Sequence, residues 1–143
     1  MLIKQVFTEF LKDQKERVSL KTYQQYKTII ELFEDSLDGY AWNTLDDRKA
    51  YEKAQKKNLT FMDLYDHTYI WENVGEFLDY FIPRKVNWGD EFVLKTCPRV
   101  IRKLLKWMRN KDLLKKTDEE INRRCENQTW KDSLKEMGYT GLE

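Results

Sequence analysis

Residues 94–109 read LKTCPRVIRKLLKWMR, and this stretch decides the fold class. Counting from Thr96, the residues Val100, Leu104 and Trp107 fall at +4, +8 and +11, the interval at which side chains share one face of an α-helix. The opening Leu-Lys-Thr also occurs at Leu20-Lys21-Thr22, and from Thr22 the positions Tyr26, Ile30 and Phe33 repeat those offsets. Both copies read as capped amphipathic helices. In the later one Arg99, Arg102, Lys106 and Arg109 recur at helical intervals beside the apolar stripe. A helix with one buried face and one cationic face suits a nucleic-acid backbone.

Helical signals extend outward in both directions, whereas alternating β-branched runs are missing and the chain has only five Gly and two Pro. A first helix is predicted over residues 2–15, with Ile3, Val6, Phe7, Phe10 and Leu11 on one face. A second runs from Ser19, its cap, to about Asp38, with Gly39 as a stop signal. Asp46 to Lys57 reads as a short, very polar helix whose Ala50 and Tyr51 offer little to bury. Thr60 is placed to cap a turn through Tyr65. A longer helix over residues 69–82 would bury Ile70, Val74, Phe77, Leu78 and Phe81, and Pro83 would end it. Gly75 in its middle marks close packing, since Gly there costs about 1 kcal/mol relative to Ala. The basic helix is expected to start near Thr96, with Pro98 in its first turn, where a missing N–H does no harm. Thr117 with Glu120 three residues on has capping-box spacing, and a last helix is expected from Thr129 to Met137.

At 143 residues the chain is most simply one domain, large enough to bury a core without metals or disulfides. Its mean hydropathy of −0.82 reflects 36% charged residues, since 41% are hydrophobic and 14% aromatic, too many for a disordered chain. The net charge of +1 hides a bipolar distribution. Arg84 to Lys116 holds eleven Lys and Arg against three acids, an excess of +8 that leaves −7 elsewhere. Glu31 to Asp47 holds six acids and no base, so a nucleic acid should avoid that end. Cys97, Cys125 and the lone His67 have no metal-ligand spacing, so no metal or cofactor is expected, and a reducing cytoplasm fits best. No apolar run approaches the roughly 18 residues that span a bilayer, and no signal-peptide core is present, so no membrane partner is expected. Asn127-Gln128-Thr129 matches a glycosylation acceptor, but without a secretory signal Thr129 reads as a helix cap. Leu142-Glu143 reads as a cloning-site remnant, in which case the chain is a domain cut from a longer protein.

The pattern of Ser19, Thr22, Tyr26, Ile30 and Phe33 resembles the opening of the core-binding domain of tyrosine recombinases, the phage-integrase family. Glu76-Phe77-Leu78 with Tyr80-Phe81 follows in the family's order. After it come Thr96 with Ile101, Leu104, Trp107 and Met108, and then Lys111 to Leu114. The resemblance covers roughly residues 1–116, with 39–58 as an insertion, and leaves 117–141 as a C-terminal helical extension. It implies an all-α, SAM-like orthogonal bundle of four to five main helices, with extra C-terminal helices, that grips one face of duplex DNA. By matching positions, Lys21 and Thr22, and Lys95, Thr96 and Arg99, would face DNA. No counterpart of the family's catalytic domain follows, so the resemblance implies no strand cleavage.

Each feature also has a plainer explanation. Ser and Thr at helix starts are first of all caps, each contributing about 1 kcal/mol. A cationic stripe can be a solvated face, although such faces usually mix signs for i,i+4 pairing and residues 95–111 contain no acid. His67 beside Asp66 has no nucleophile or second base placed by sequence, so a surface or capping role is expected. The leading expectation is a non-catalytic module that contacts duplex DNA phosphates through Lys95, Thr96, Arg99, Arg102, Lys106 and Arg109, with Lys21 and Thr22. The alternative is a protein-interaction or regulatory bundle without DNA affinity, in which the −7 and +8 parts support self-association or a recombinase-like partner. An enzyme is not expected.

Overall fold

Ser19 shows how local chemistry sets a helix boundary in this chain. Its extended backbone precedes α2 (Leu20–Tyr40), and its hydroxyl oxygen accepts the Thr22 N–H at 3.2 Å. The computed structural model describes residues 1–44, 48–85 and 91–126. Among them the regular structure is helical, apart from one isolated bridge between Leu2 and Asp66. The chain is an all-α protein of packed helices. It divides into two compact units, Met1–Asn73 and Val74–Glu143, with the boundary inside a helix.

In the first unit, α1 (Ile3–Arg17) buries Ile3, Val6, Phe7 and Phe10 against α2, whose Ile29, Ile30, Phe33 and Leu37 face it. Phe7 meets Phe33 at 5.7 Å between ring centroids. Gly39 does not stop α2. The helix runs on to Tyr40 and tightens into a 3₁₀ turn, Ala41–Thr44, because Ala41 and Trp42 both gain burial by continuing inward. The segment read as an insertion therefore includes the end of α2, this turn and α3 (Arg48–Lys56), which is attached by its buried Ala54. The one-turn α4 (Phe61–Leu64) is capped as expected, with the Asp63 carboxylate accepting both the N–H and the hydroxyl of Thr60 at 2.9 Å. That pairing, together with Lys4 at 3.2 Å, holds the Asp63 carboxyl below the usual range, the Thr60 N–H being the main cause. Trp42 sits edge-on to Phe61 and Tyr65, at 5.2 and 5.4 Å. The chain start is pinned alongside: Ile3 N–H donates to Tyr65 O, and His67 N–H to Met1 O. His67 Nδ1 lies 3.0 Å from both Met1 O and Asp66 Oδ1, so this histidine ties down the N-terminus.

The long helical run that follows continues through Pro83, where the sequence predicts its end. α5 (Thr68–Glu76) passes into a π turn over Phe77–Phe81 and resumes as the short α6 (Ile82–Lys85). Ile82 N–H reaches back five residues to Phe77 O, and this wider turn makes room for the Pro83 ring, which would crowd a regular ladder. The anticipated core residues Ile70, Val74, Phe77, Leu78 and Phe81 are all buried.

In the second unit, α7 (Glu91–Asn110) packs along α8 (Asp118–Cys125). Gly75 lies close to α8, as a Cβ there would come within 3.3 Å of the Arg124 guanidinium, which would have to shift slightly. Thr117 and Glu120 form the expected capping box, with reciprocal bonds of 3.1 Å. The helix expected over 129–137 and the residues 142–143 lie outside the described residues.

α3 and α7 end alike. Asn58 (φ 54°) and Asp112 (φ 60°) take the left-handed conformation, and the next residue's N–H returns five residues, Leu59 to Ala54 and Leu113 to Met108. Asp112 carries both the strain of a side chain there and a negative charge at a helix C-terminus. Asp112→Gly should therefore raise stability by about 1 kcal/mol, read as an increase in the denaturant midpoint.

Glu34 on α2 is half-buried, and its pKa is raised above 4.5, first by desolvation and then by Glu31, Asp35 and Asp63. A carboxyl with a raised folded-state value favours folding below the ordinary glutamate range and loses that contribution as pH rises through the folded value. Glu34→Gln should accordingly be more thermostable than wild type at pH 7, and the gap should close below pH 4.5.

Candidate nucleic-acid interface

α7 is positioned by its apolar side. Val93, Cys97, Val100, Ile101, Leu104 and Met108 are buried, which turns the opposite side outward. The helix begins at Glu91, five residues earlier than the sequence suggested. Thr96 is consequently an interior residue, only 2% exposed, and cannot reach a phosphate. Pro98 sits inside the helix and leaves the Leu94 carbonyl without its usual N–H donor. Thr and Pro mimicked a helix start, but burial of Val93, Thr96 and Cys97 extends the helix past that signal.

The cations divide into two sets. Arg109 hydrogen-bonds Asp118 at the start of α8, and this contact holds the Asp118 carboxyl below the usual range. Arg102 lies 3.5 Å from Glu126 just beyond the end of α8. These two arginines, seven residues apart and about 20° around the helix from each other, face α8. Lys95, Arg99 and Lys103 are exposed and Lys106 is half-buried. Those four fall within roughly 80° of arc on the neighbouring side. Lys103, four residues after Arg99 and three before Lys106, was not singled out in the sequence; its exposure makes it part of this face.

Lys21 and Thr22 belong to the first unit. Lys21 is exposed, whereas Thr22 is half-buried, with its N–H bound to Ser19 and its Oγ1 accepting the Ser19 hydroxyl at 3.0 Å. Thr22 therefore serves the cap. Trp107 is buried, with Lys111 Nζ 5.8 Å from its ring centroid, so it is a core residue and no platform for base stacking. Among the described residues no group of three His, Cys, Asp or Glu could hold a metal ion, and no helix is long and apolar enough to cross a membrane.

Both cysteines are free and buried. Burial pushes the Cys97 thiol well up, and it raises Cys125 to about 11. No protein-family profile, curated protein or solved structure matches this chain. With a value near 11, only about one Cys125 in a thousand is thiolate at pH 8. Ellman's reagent at that pH should leave both thiols unmodified in the folded protein and titrate two on unfolding; prompt modification in buffer would contradict this burial.

Proposed function

We propose that this chain is a non-catalytic module that binds duplex DNA through phosphate contacts from the exposed side of α7, as the resemblance to recombinase core-binding domains implies. One observation carries this reading: Lys95, Arg99, Lys103 and Lys106 share one face of a helix whose other face is fixed by burial. From Lys95 to Lys106 the helix rises about 17 Å, the rise of about five base pairs, so several phosphates of one strand lie within reach. These contacts position the protein without reading bases. Lys21, at the exposed start of α2 in the first unit, provides a further contact. The free thiols fit a reducing compartment, and we place the protein in the cytoplasm.

The contacts of Arg102 and Arg109 with Glu126 and Asp118 favour a second reading, in which the stripe serves chiefly to seat α8 and the bundle binds another protein. The two readings differ in what salt and charge reversal do. Three to four phosphate contacts give a log-log salt slope of about −3 for a labelled duplex followed by fluorescence anisotropy. Arg99→Glu/Lys103→Glu should abolish binding and leave the helical circular dichroism unchanged. Arg109→Glu, which breaks the Asp118 contact, should lower the melting temperature. Undiminished affinity in the double variant, or no salt-sensitive binding by wild type, would sink the DNA-binding reading.

A further inference from the structure

α3 carries a surface that the proposed DNA contact does not use. Residues 48–57 hold five Lys and Arg against the single acid Glu52, so this short helix is strongly basic. Ala54 is its buried residue, and Tyr51, edge-on to Trp42 at 5.3 Å, remains 39% exposed. Beside it lies a groove of about 370 Å³ lined by Ala50, Ala54, Leu59, Leu64 and Tyr65, with Lys53 and Lys57. Asn58, in its left-handed turn, swings Leu59 back toward Ala54, which forms one end of this lining. Tyr65 is stacked on Phe61 with ring centroids 4.4 Å apart, so the opposite wall is held in place. Leu64 is 41% exposed at the groove.

Two parallel rows run along α3 and into the turn that follows it, at i,i+4 spacing. Ala50 and Ala54 form a row of small side chains, a depression of the kind into which the ridge of another helix packs. Lys53 and Lys57 form a cationic row beside it, and both are exposed. We infer that this groove docks an acidic amphipathic helix of a partner protein, with the aliphatic side chains of the partner seated over Ala50, Ala54 and Leu64 and its carboxylates paired with Lys53 and Lys57. The charge pattern selects this occupant. A neutral apolar helix would leave the lysine row unanswered, and a nucleic acid or lipid headgroup would leave the apolar floor unfilled. The inference is independent of the DNA contact at α7.

The test uses the full chain and a fluorescein-labelled peptide carrying leucines at i, i+4, i+7 and i+11 with glutamates between them, set against a shuffled peptide of equal composition. Anisotropy should show saturable binding of the amphipathic peptide, at least about tenfold tighter than the shuffled one. Lys53→Glu/Lys57→Glu should weaken it by about tenfold or more, as should Leu64→Asp. All three substitutions are at exposed positions, so circular dichroism should match wild type, and Arg99→Glu/Lys103→Glu should bind the peptide as wild type does. Equal affinity for the two peptides, or affinity untouched by both groove variants, overturns the proposal. Saturable binding to phosphatidylserine vesicles without binding of the peptide would also overturn it. So would self-association of the chain alone, seen in sedimentation and lost in the same variants, because the occupant would then be a second copy.

Discussion

Burial of Val93, Cys97, Val100, Ile101, Leu104 and Met108 fixes the rotation of α7 about its own axis, and its charges have to follow. Each such side chain contributes about 1.5–3 kcal/mol when removed from water, whereas a solvent-exposed ion pair typically contributes only about 0.2–1 kcal/mol. The apolar stripe therefore decides where the cations point, and the ion pairs form with whatever acids are then within reach. Arg102 and Arg109 meet Glu126 and Asp118 because α8 is seated by its own buried Ile121 and Cys125. Lys95, Arg99 and Lys103 are left outward by the same rotation, with Lys106 half-buried beside them. The outward cationic face is in this sense a by-product of packing.

What could be read from the sequence follows from how local each signal is. Ser19, Thr60 and Thr117 cap their helices as anticipated because a cap needs only partners within three residues. The buried faces of α1, α2 and the run through Phe81 were visible for the same reason, since periodicity lies within one element. The misplaced boundaries involve local signals that distant burial overrode. Gly39 should end a helix, but Ala41 and Trp42 gain burial by continuing it. Pro83 should end another, but the chain absorbs it through the π turn at Phe77–Phe81. At Thr96 and Pro98 two local signals agreed on a helix start, and the buried Val93 shows that the helix was already under way.

The candidate site was legible as a list of cations and illegible as a surface. Helical spacing located Arg99, Arg102, Lys106 and Arg109, but the acids that engage two of them lie on or beside another helix, Asp118 nine residues from Arg109 and Glu126 24 residues from Arg102. The groove beside α3 was hidden for a related reason. Ala50 looked like a residue with little to bury, and only the return of the chain at Asn58, with Leu64 and Tyr65 placed by the cap at Thr60, turns small side chains into a depression.

α3 and α7 are both basic helices, yet their surroundings give their charges different consequences. On α7 the outward cations stand apart from the buried stripe, so a ligand held there gains mainly from counterion release, which weakens steeply as salt is added. On α3 the lysines border an apolar groove, so a ligand there would also bury hydrocarbon, a contribution that salt does not screen. Charge density alone does not distinguish the two helices, since each gathers four or more cations over a few turns. What separates them is the apolar area within reach of each charge. Salt dependence would therefore report which of the two proposed surfaces a ligand engages: a steep slope would mark phosphates on α7, and a shallow one with a residual affinity at high salt would mark the groove.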